Sequence, residues 1–142
     1  MDGAADTGTH DPKQKEANSM KMNYFVVGTN DRDAAVAFYD ALFEGTEFTQ
    51  VMATDRMTYW MAGEVAFAVA TPFDEEPASL GNGMMVGFSF NTAEEIEAIY
   101  QKALDLGGSC EGAPGQRGPY YSTYVRDLDG NKLCFGAMTS AA

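Results

Sequence analysis

Apolar and polar positions follow two periods along this chain, one of about two residues and one of 3.6, and they appear in the same order twice. Residues 24–29 form a short apolar run of strand character that ends at Asn30-Asp31, a pair suited to capping a helix. Ala35, Phe38, Tyr39 and Leu42 then fall at i, i+3, i+4 and i+7, which predicts a helix with one apolar face, and Gly45 follows as a stop signal. Three β-rich stretches come next, at residues 47–53, 56–62 and 65–70. Pro72, Pro77, Gly81 and Gly83 then break both periods and predict a connector over residues 72–83.

The pattern starts again at residues 85–90 with a strand. Thr92-Ala93-Glu94-Glu95 is a capping-box sequence, Ile96, Ile99, Tyr100 and Ala103 repeat the helical spacing, and Gly107-Gly108 closes that helix by the left-handed route. Further strands are expected around residues 109–111, 121–126 and 132–137. Asp127-Leu128-Asp129-Gly130-Asn131 supplies hairpin-turn chemistry between the last two. Shifting the first half by 61 residues, which carries Tyr39 onto Tyr100, also carries Asn30 onto Asn91 and Ala37 onto Ala98. Each half therefore reads β-α-β-β-β, and the chain reads as a duplication.

Composition sets the class. The chain has 142 residues, and 21 acidic against 9 basic residues give a formal charge of −12. That length is one domain's worth and buries a core without a disulfide or a metal. The acidity opposes binding to nucleic acid or to an anionic membrane surface, and no apolar run approaches the ~20 residues of a membrane span. Residues 1–21 have no apolar signal core and no regular period, so they read as a polar arm ahead of a single domain at 22–142. Two cysteines without an export signal fit reduced thiols and a cytoplasmic location. The single histidine, His10, lies in the arm and reads as solvated, so the body works without imidazole.

Four passages together resemble the vicinal oxygen chelate superfamily, which includes glyoxalase I, extradiol dioxygenases, and bleomycin- and fosfomycin-resistance proteins. They are Asn23-Tyr24-Phe25-Val26-Val27-Gly28-Thr29-Asn30-Asp31 with Ala37-Phe38-Tyr39-Asp40; Thr71-Pro72-Phe73-Asp74 with Gly81-Asn82-Gly83; Ala103-Leu104-Asp105-Leu106-Gly107-Gly108; and Arg126-Asp127-Leu128-Asp129-Gly130-Asn131-Lys132. The resemblance implies an α+β fold of two tandem βαβββ modules, about 22–71 and 84–138. Their sheets would curl as one mixed sheet around a cleft, with helices outside. It also implies a homodimer, and a divalent cation held in metal-dependent members by His and Glu on the first and fourth strands of each module.

Carried over position by position, the first-strand ligands match Tyr24 and Met85, and one last-strand ligand matches Cys134. The other falls at Ala66 or Phe67. Alternation packs Val65, Phe67 and Val69 under the helix and turns Ala66 toward the cleft, so Ala66 is the match. No family-type metal finds N/O donors there, and no cofactor is expected. Met85 and Cys134 are soft donors for an ion such as Cu(I), but two sulfurs make a poor site and read better as space-filling side chains. Cys134 has only Lys132 nearby to favour a thiolate, which argues against a nucleophile, and Cys110 reads as an inert strand thiol.

Tyr24 stands where a ligand would stand, either donating to a substrate oxygen or bonding backbone. Tyr59, Trp60, Tyr120, Tyr121 and Tyr124 suggest a cleft lined for stacking, with alternation admitting only one of Tyr59 and Trp60. Tyr124 would lie opposite Cys134 across the hairpin, and Arg117, in the Gly-rich run 113–119, reads either as an anchor for an anion from a loop or as a solvated side chain. Asp127 and Asp129 are turn formers before they are a carboxylate pair. The function expected is binding of a small organic molecule in a cleft without the family's metal ligands. The alternatives are a glyoxalase-type lyase or dioxygenase using an atypical metal set or Tyr24 with Glu64 as acid and base, and an acidic scaffold that meets a basic partner.

Overall fold

A computed structural model describes residues 18–139; the arm to residue 17, including His10, lies outside the described residues. The elements run β1 (Tyr24–Gly28), α1 (Arg32–Phe43), β2 (Thr49–Ala53), β3 (Met57–Ala62), β4 (Val65–Ala70), β5 (Val86–Phe90), α2 (Ala93–Asp105), β6 (Ser109–Arg117), β7 (Tyr120–Arg126) and β8 (Lys132–Met138). This is the duplicated β-α-β-β-β order. It builds two four-stranded sheets, β1-β4-β3-β2 and β5-β8-β7-β6, rather than one continuous sheet. In each sheet the first strand pairs in parallel with the last, and the other pairs are antiparallel.

Local chemistry explains the element ends. Asp31 caps α1, its Oδ1 accepting from the Ala34 amide at 3.1 Å. Asn30, read as part of the same cap, does something else. Its side chain accepts from the Ala78 amide at 2.7 Å and donates to the Ala78 carbonyl at 3.3 Å, fastening the connector against the end of β1. Thr92 and Glu95 make the full capping box of α2. Gly107 takes a left-handed φ of 103° beyond α2, a conformation that costs a side-chain-bearing residue about 1 kcal/mol or more.

Each helix covers one face of its sheet, and the covered faces share one core. Phe38, Tyr39, Leu42 and Phe43 of α1 join Trp60, Phe67 and Val69 of the first sheet, then Ile96, Ile99, Val125, Leu133 and Phe135 of the second. Phe88 bridges the modules, 5.6 Å from the Phe43 ring and 5.7 Å from that of Phe67. Polar contacts fasten the same junction at one end. The Tyr39 hydroxyl, the Asn30 amide and the Gly28 carbonyl bond to Asp127, Asp129 and Asn131 of the β7–β8 turn.

The structure corrects three expectations. Trp60 belongs to the helix-covered face, 1% exposed, with its indole N–H donating to Asp40 at 2.9 Å. Of the two adjacent rings in β3, Tyr59 is the one that faces outward. The Gly-rich run 113–117 is the end of the nine-residue strand β6, not a loop. Irregular pairing around Gly112 lets the strand absorb the extra residues. Val65 opens β4 at 37% exposure, outside the core, because the strand begins beyond the reach of α1.

Candidate functional site

The faces turned away from the helices carry no helix of their own, though on the first sheet neighbouring side chains bury Ala66, Ala68 and Ala70. On the first sheet, Tyr24 pairs with Ala66, Val26 with Ala68 and Gly28 with Ala70, so the middle of that face is a floor of small residues. Tyr24 and Tyr59 stand over it with ring centroids 6.1 Å apart, and Met57 packs against Ala68 and Ala70. Tyr24 is 49% exposed, and its hydroxyl has no protein partner among the described residues.

On the second sheet, alternation turns Tyr120, Ser122, Tyr124 and Arg126 of β7 and Lys132, Cys134 and Gly136 of β8 to the bare face. Tyr124 is the direct partner of Cys134, and Gly87 flanks Cys134 on the other side. Burial pushes the Cys134 thiol up, against the opposing pull of Arg117, Lys132 and the Tyr124 side chain. The thiol is therefore protonated near neutrality and a poor nucleophile. Arg117 reaches back along β6 to place its guanidinium carbon 5.1 Å from the Tyr124 ring centroid, and Lys132 places its ammonium 5.1 Å from the same centroid.

The four positions matched to family ligands fall on both sheets, as a ligand set drawn from each module would. Tyr24 and Ala66 share the first sheet, whereas Cys134 lies on the second. Met85 falls just before β5; continuing the β5–β8 register by one residue sets it level with Lys132 rather than Cys134. Met85 and Lys132 both line a hollow of about 600 Å³ beneath the connector residues Leu80, Asn82 and Met84. Phenol, methyl, thioether and protonated thiol do not make a site for a hard divalent cation. Among the described residues no three His, Cys, Asp or Glu side chains gather closely enough to hold a metal. Glu64 sits in the β3–β4 turn, ion-paired to Lys21 at 3.1 Å and making no bond to Tyr24.

Two participants escaped the sequence pattern. Lys132 was noted only as a neighbour of Cys134, because nothing in sequence shows that its ammonium swings over Tyr124. Gly112 carries a tighter signal: a Cβ there would lie 2.9 Å from the Tyr124 ring and 3.3 Å from the Arg117 guanidinium. Its lack of a side chain is what lets the two lie together.

No helix among the described residues is long and apolar enough to cross a membrane. The family model described as the Glyoxalase/Bleomycin resistance protein/Dioxygenase superfamily matches residues 21–135. A crystal structure of a glyoxalase/bleomycin resistance protein from Albidiferax ferrireducens is 32% identical, with a TM-score of 0.77 over 82% of this chain and 97% of that one. Two more distant structures share the fold. A lactoylglutathione lyase from Agrobacterium tumefaciens is 21% identical over 84% of this chain and 94% of its own, with a TM-score of 0.64. A glyoxalase-related enzyme from Fulvimarina pelagi is 16% identical over 84% and 88%, with a TM-score of 0.71. No curated protein matches the chain.

Proposed function

Since this chain belongs to the glyoxalase/bleomycin resistance protein/dioxygenase superfamily, we propose that it binds a small organic molecule against its bare sheet faces, without the metal of its catalytic relatives. One observation carries this reading. Tyr24, half exposed, and Tyr59, half-buried, lie side by side over a buried layer of Ala66, Ala68 and Ala70, ring centroids 6.1 Å apart, with no helix above them. An aromatic pair on an uncovered sheet face is a surface on which a planar or partly apolar ligand stacks, and the Tyr24 hydroxyl is free to donate to its polar atom.

A second copy of the chain completes the cleft. Tyr24, Val26, Met61 and Met85 are each more than a third exposed, and a partner sheet laid over them removes that apolar surface from water and gives the ligand a roof. The lyase or dioxygenase alternative needs a metal or an acid and base pair, and the pairing of Glu64 with Lys21 instead of Tyr24 favours binding.

The test is a thermal-shift screen of small organic molecules on untagged protein, run with and without EDTA beside metal analysis and light scattering. The expected result is a dimer whose melting point rises with a ligand, equally in EDTA, and rises less in Tyr24→Phe. Near-stoichiometric Zn, Ni, Mn or Fe whose removal abolishes the ligand's effect overturns the metal-free reading, and a monomer overturns the shared cleft.

A further inference from the structure

We infer that the bare face of the second sheet is a carboxylate-binding half-site, with Arg117 and Lys132 as its two cations and Tyr124 as the platform between them. The inference rests on the small-molecule reading above and names the chemistry of the ligand.

The first ground is charge placement. In a chain of formal charge −12, Arg117, Arg126 and Lys132 share one sheet face, whereas Lys21, Arg32, Arg56 and Lys102 lie elsewhere. Arg126 is consumed structurally, donating to Glu111 at 3.1 Å and to the Gly130 carbonyl at 3.0 Å. Arg117 and Lys132 have no carboxylate within 4.0 Å among the described residues. They are the cations of this face that no ion pair holds among the described residues, although Glu111, paired to Arg126, lies close enough to Lys132 to feel its charge.

The second ground is that Arg117 is built in. Its guanidinium donates to the carbonyls of Ser122, Ala113 and Gly115, which fix its plane and stabilise its charge without cancelling it. Beneath it Ser122 is 4% exposed, and Gly112 is bare where a Cβ would displace both the guanidinium and the Tyr124 ring. A solvated surface arginine samples many rotamers; this one is held in place before any ligand arrives, so less entropy is lost on binding.

The third ground is the floor. Cys134 lies between Gly87 and Tyr124 across the strands, and Gly136 follows it along the same face. The protonated thiol adds no negative charge to repel an anion. A small carboxylate set over this floor reaches the Lys132 ammonium, meets the field of Arg117, and rests its apolar part on the Tyr124 ring and the glycine backbone.

The experiment is an NMR titration of the full chain with benzoate and with its neutral isostere benzamide. Benzoate is expected to shift the amides of Tyr124, Lys132 and Cys134 saturably and to bind about tenfold more tightly than benzamide, the worth of one charge-assisted hydrogen bond. Its affinity should fall with added salt while that of benzamide does not. Lys132→Gln, which removes the contact with the Tyr124 ring but no hydrogen bond or ion pair among the described residues, should erase most of the difference, and Gly112→Ala should weaken benzoate by displacing Arg117. Equal binding of the two probes, or benzoate binding unchanged in Lys132→Gln, overturns the carboxylate assignment and leaves the small-molecule cleft standing. Failure of benzoate to shift this face overturns the assignment too, while shifts at Tyr24 and Ala66 alone would keep the first-sheet site.

Discussion

The Tyr39 hydroxyl donates to Asp127 Oδ2 at 2.6 Å, tying a helix of the first module to the turn before the last strand of the second. Tyr39 is fully buried and Asp127 is 6% exposed. Asp127 also accepts from the Asp129 and Asn131 amides and from the Asn131 side chain, so one carboxylate orders the turn and anchors the neighbouring module. Burial, then the charge of Asp127, raises the Tyr39 phenol well above its ordinary range.

Tyr39→Phe should cost about 1.5–3 kcal/mol in urea unfolding, the range for a hydrogen bond to a charged group. Because the folded phenol holds its proton where the unfolded one releases it, stability should be complete below pH ~10 and fall as pH climbs from there toward the folded value. Tyr39→Phe should flatten that alkaline fall, and a variant that keeps the wild-type slope would show that another group sets it.

The single tryptophan gives an optical check on the corrected face of β3. Trp60 emission should be blue-shifted and quench weakly with iodide, because the ring lies in the core against Tyr39 and Phe67. Trp60→Ala should cost about 3–5 kcal/mol, as removal of a buried aromatic does. Strong iodide quenching in the folded protein would return the ring to the bare face.

The two thiols should label in a fixed order. Cys110 is exposed and Cys134 is held up by burial, so iodoacetamide at pH 8 should modify Cys110 first, with Cys134 catching up only as the pH passes the ordinary thiol range. Peptide mapping at timed intervals reads the order, and faster labelling of Cys134 would mean that the cations beside it outweigh its burial.

The capping box of α2 makes an acid-side prediction. Glu95 accepts from the Asn91 amide at 2.9 Å and the Thr92 amide at 3.0 Å, which lowers its carboxyl. Its contribution is present above the ordinary Glu range and lost as pH falls through the lowered folded value. Glu95→Gln should remove that acid dependence, and Thr92→Ala should cost about 1 kcal/mol at neutral pH. Melting curves from pH 2 to 7 measure both.

Those elements were legible in sequence because their signals are local. Thr92 with Glu95, the Phe38-Tyr39-Leu42 spacing and the Asp127–Asn131 turn each act within a few residues, and the 61-residue offset made the two halves corroborate one another. The site was less legible because its geometry is made between strands. Alternation alone cannot say which of Tyr59 and Trp60 faces the core, since both are large and amphipathic; the Asp40 carboxylate, 20 residues earlier on α1, decides for Trp60. Likewise the irregular pairing at Gly112 shifts β6 and brings Arg117 over Tyr124, a consequence that no count of residues from the hairpin supplies.

The repeat that carries Tyr39 onto Tyr100 carries the residue without its duty. Tyr100 is half-buried, and among the described residues its hydroxyl makes no hydrogen bond to the first module, so it secures no neighbouring module. A chain assembled from two second modules would keep the sheets and helices and lose the bolt that joins them. The halves repeat one order of elements, but they are not interchangeable parts.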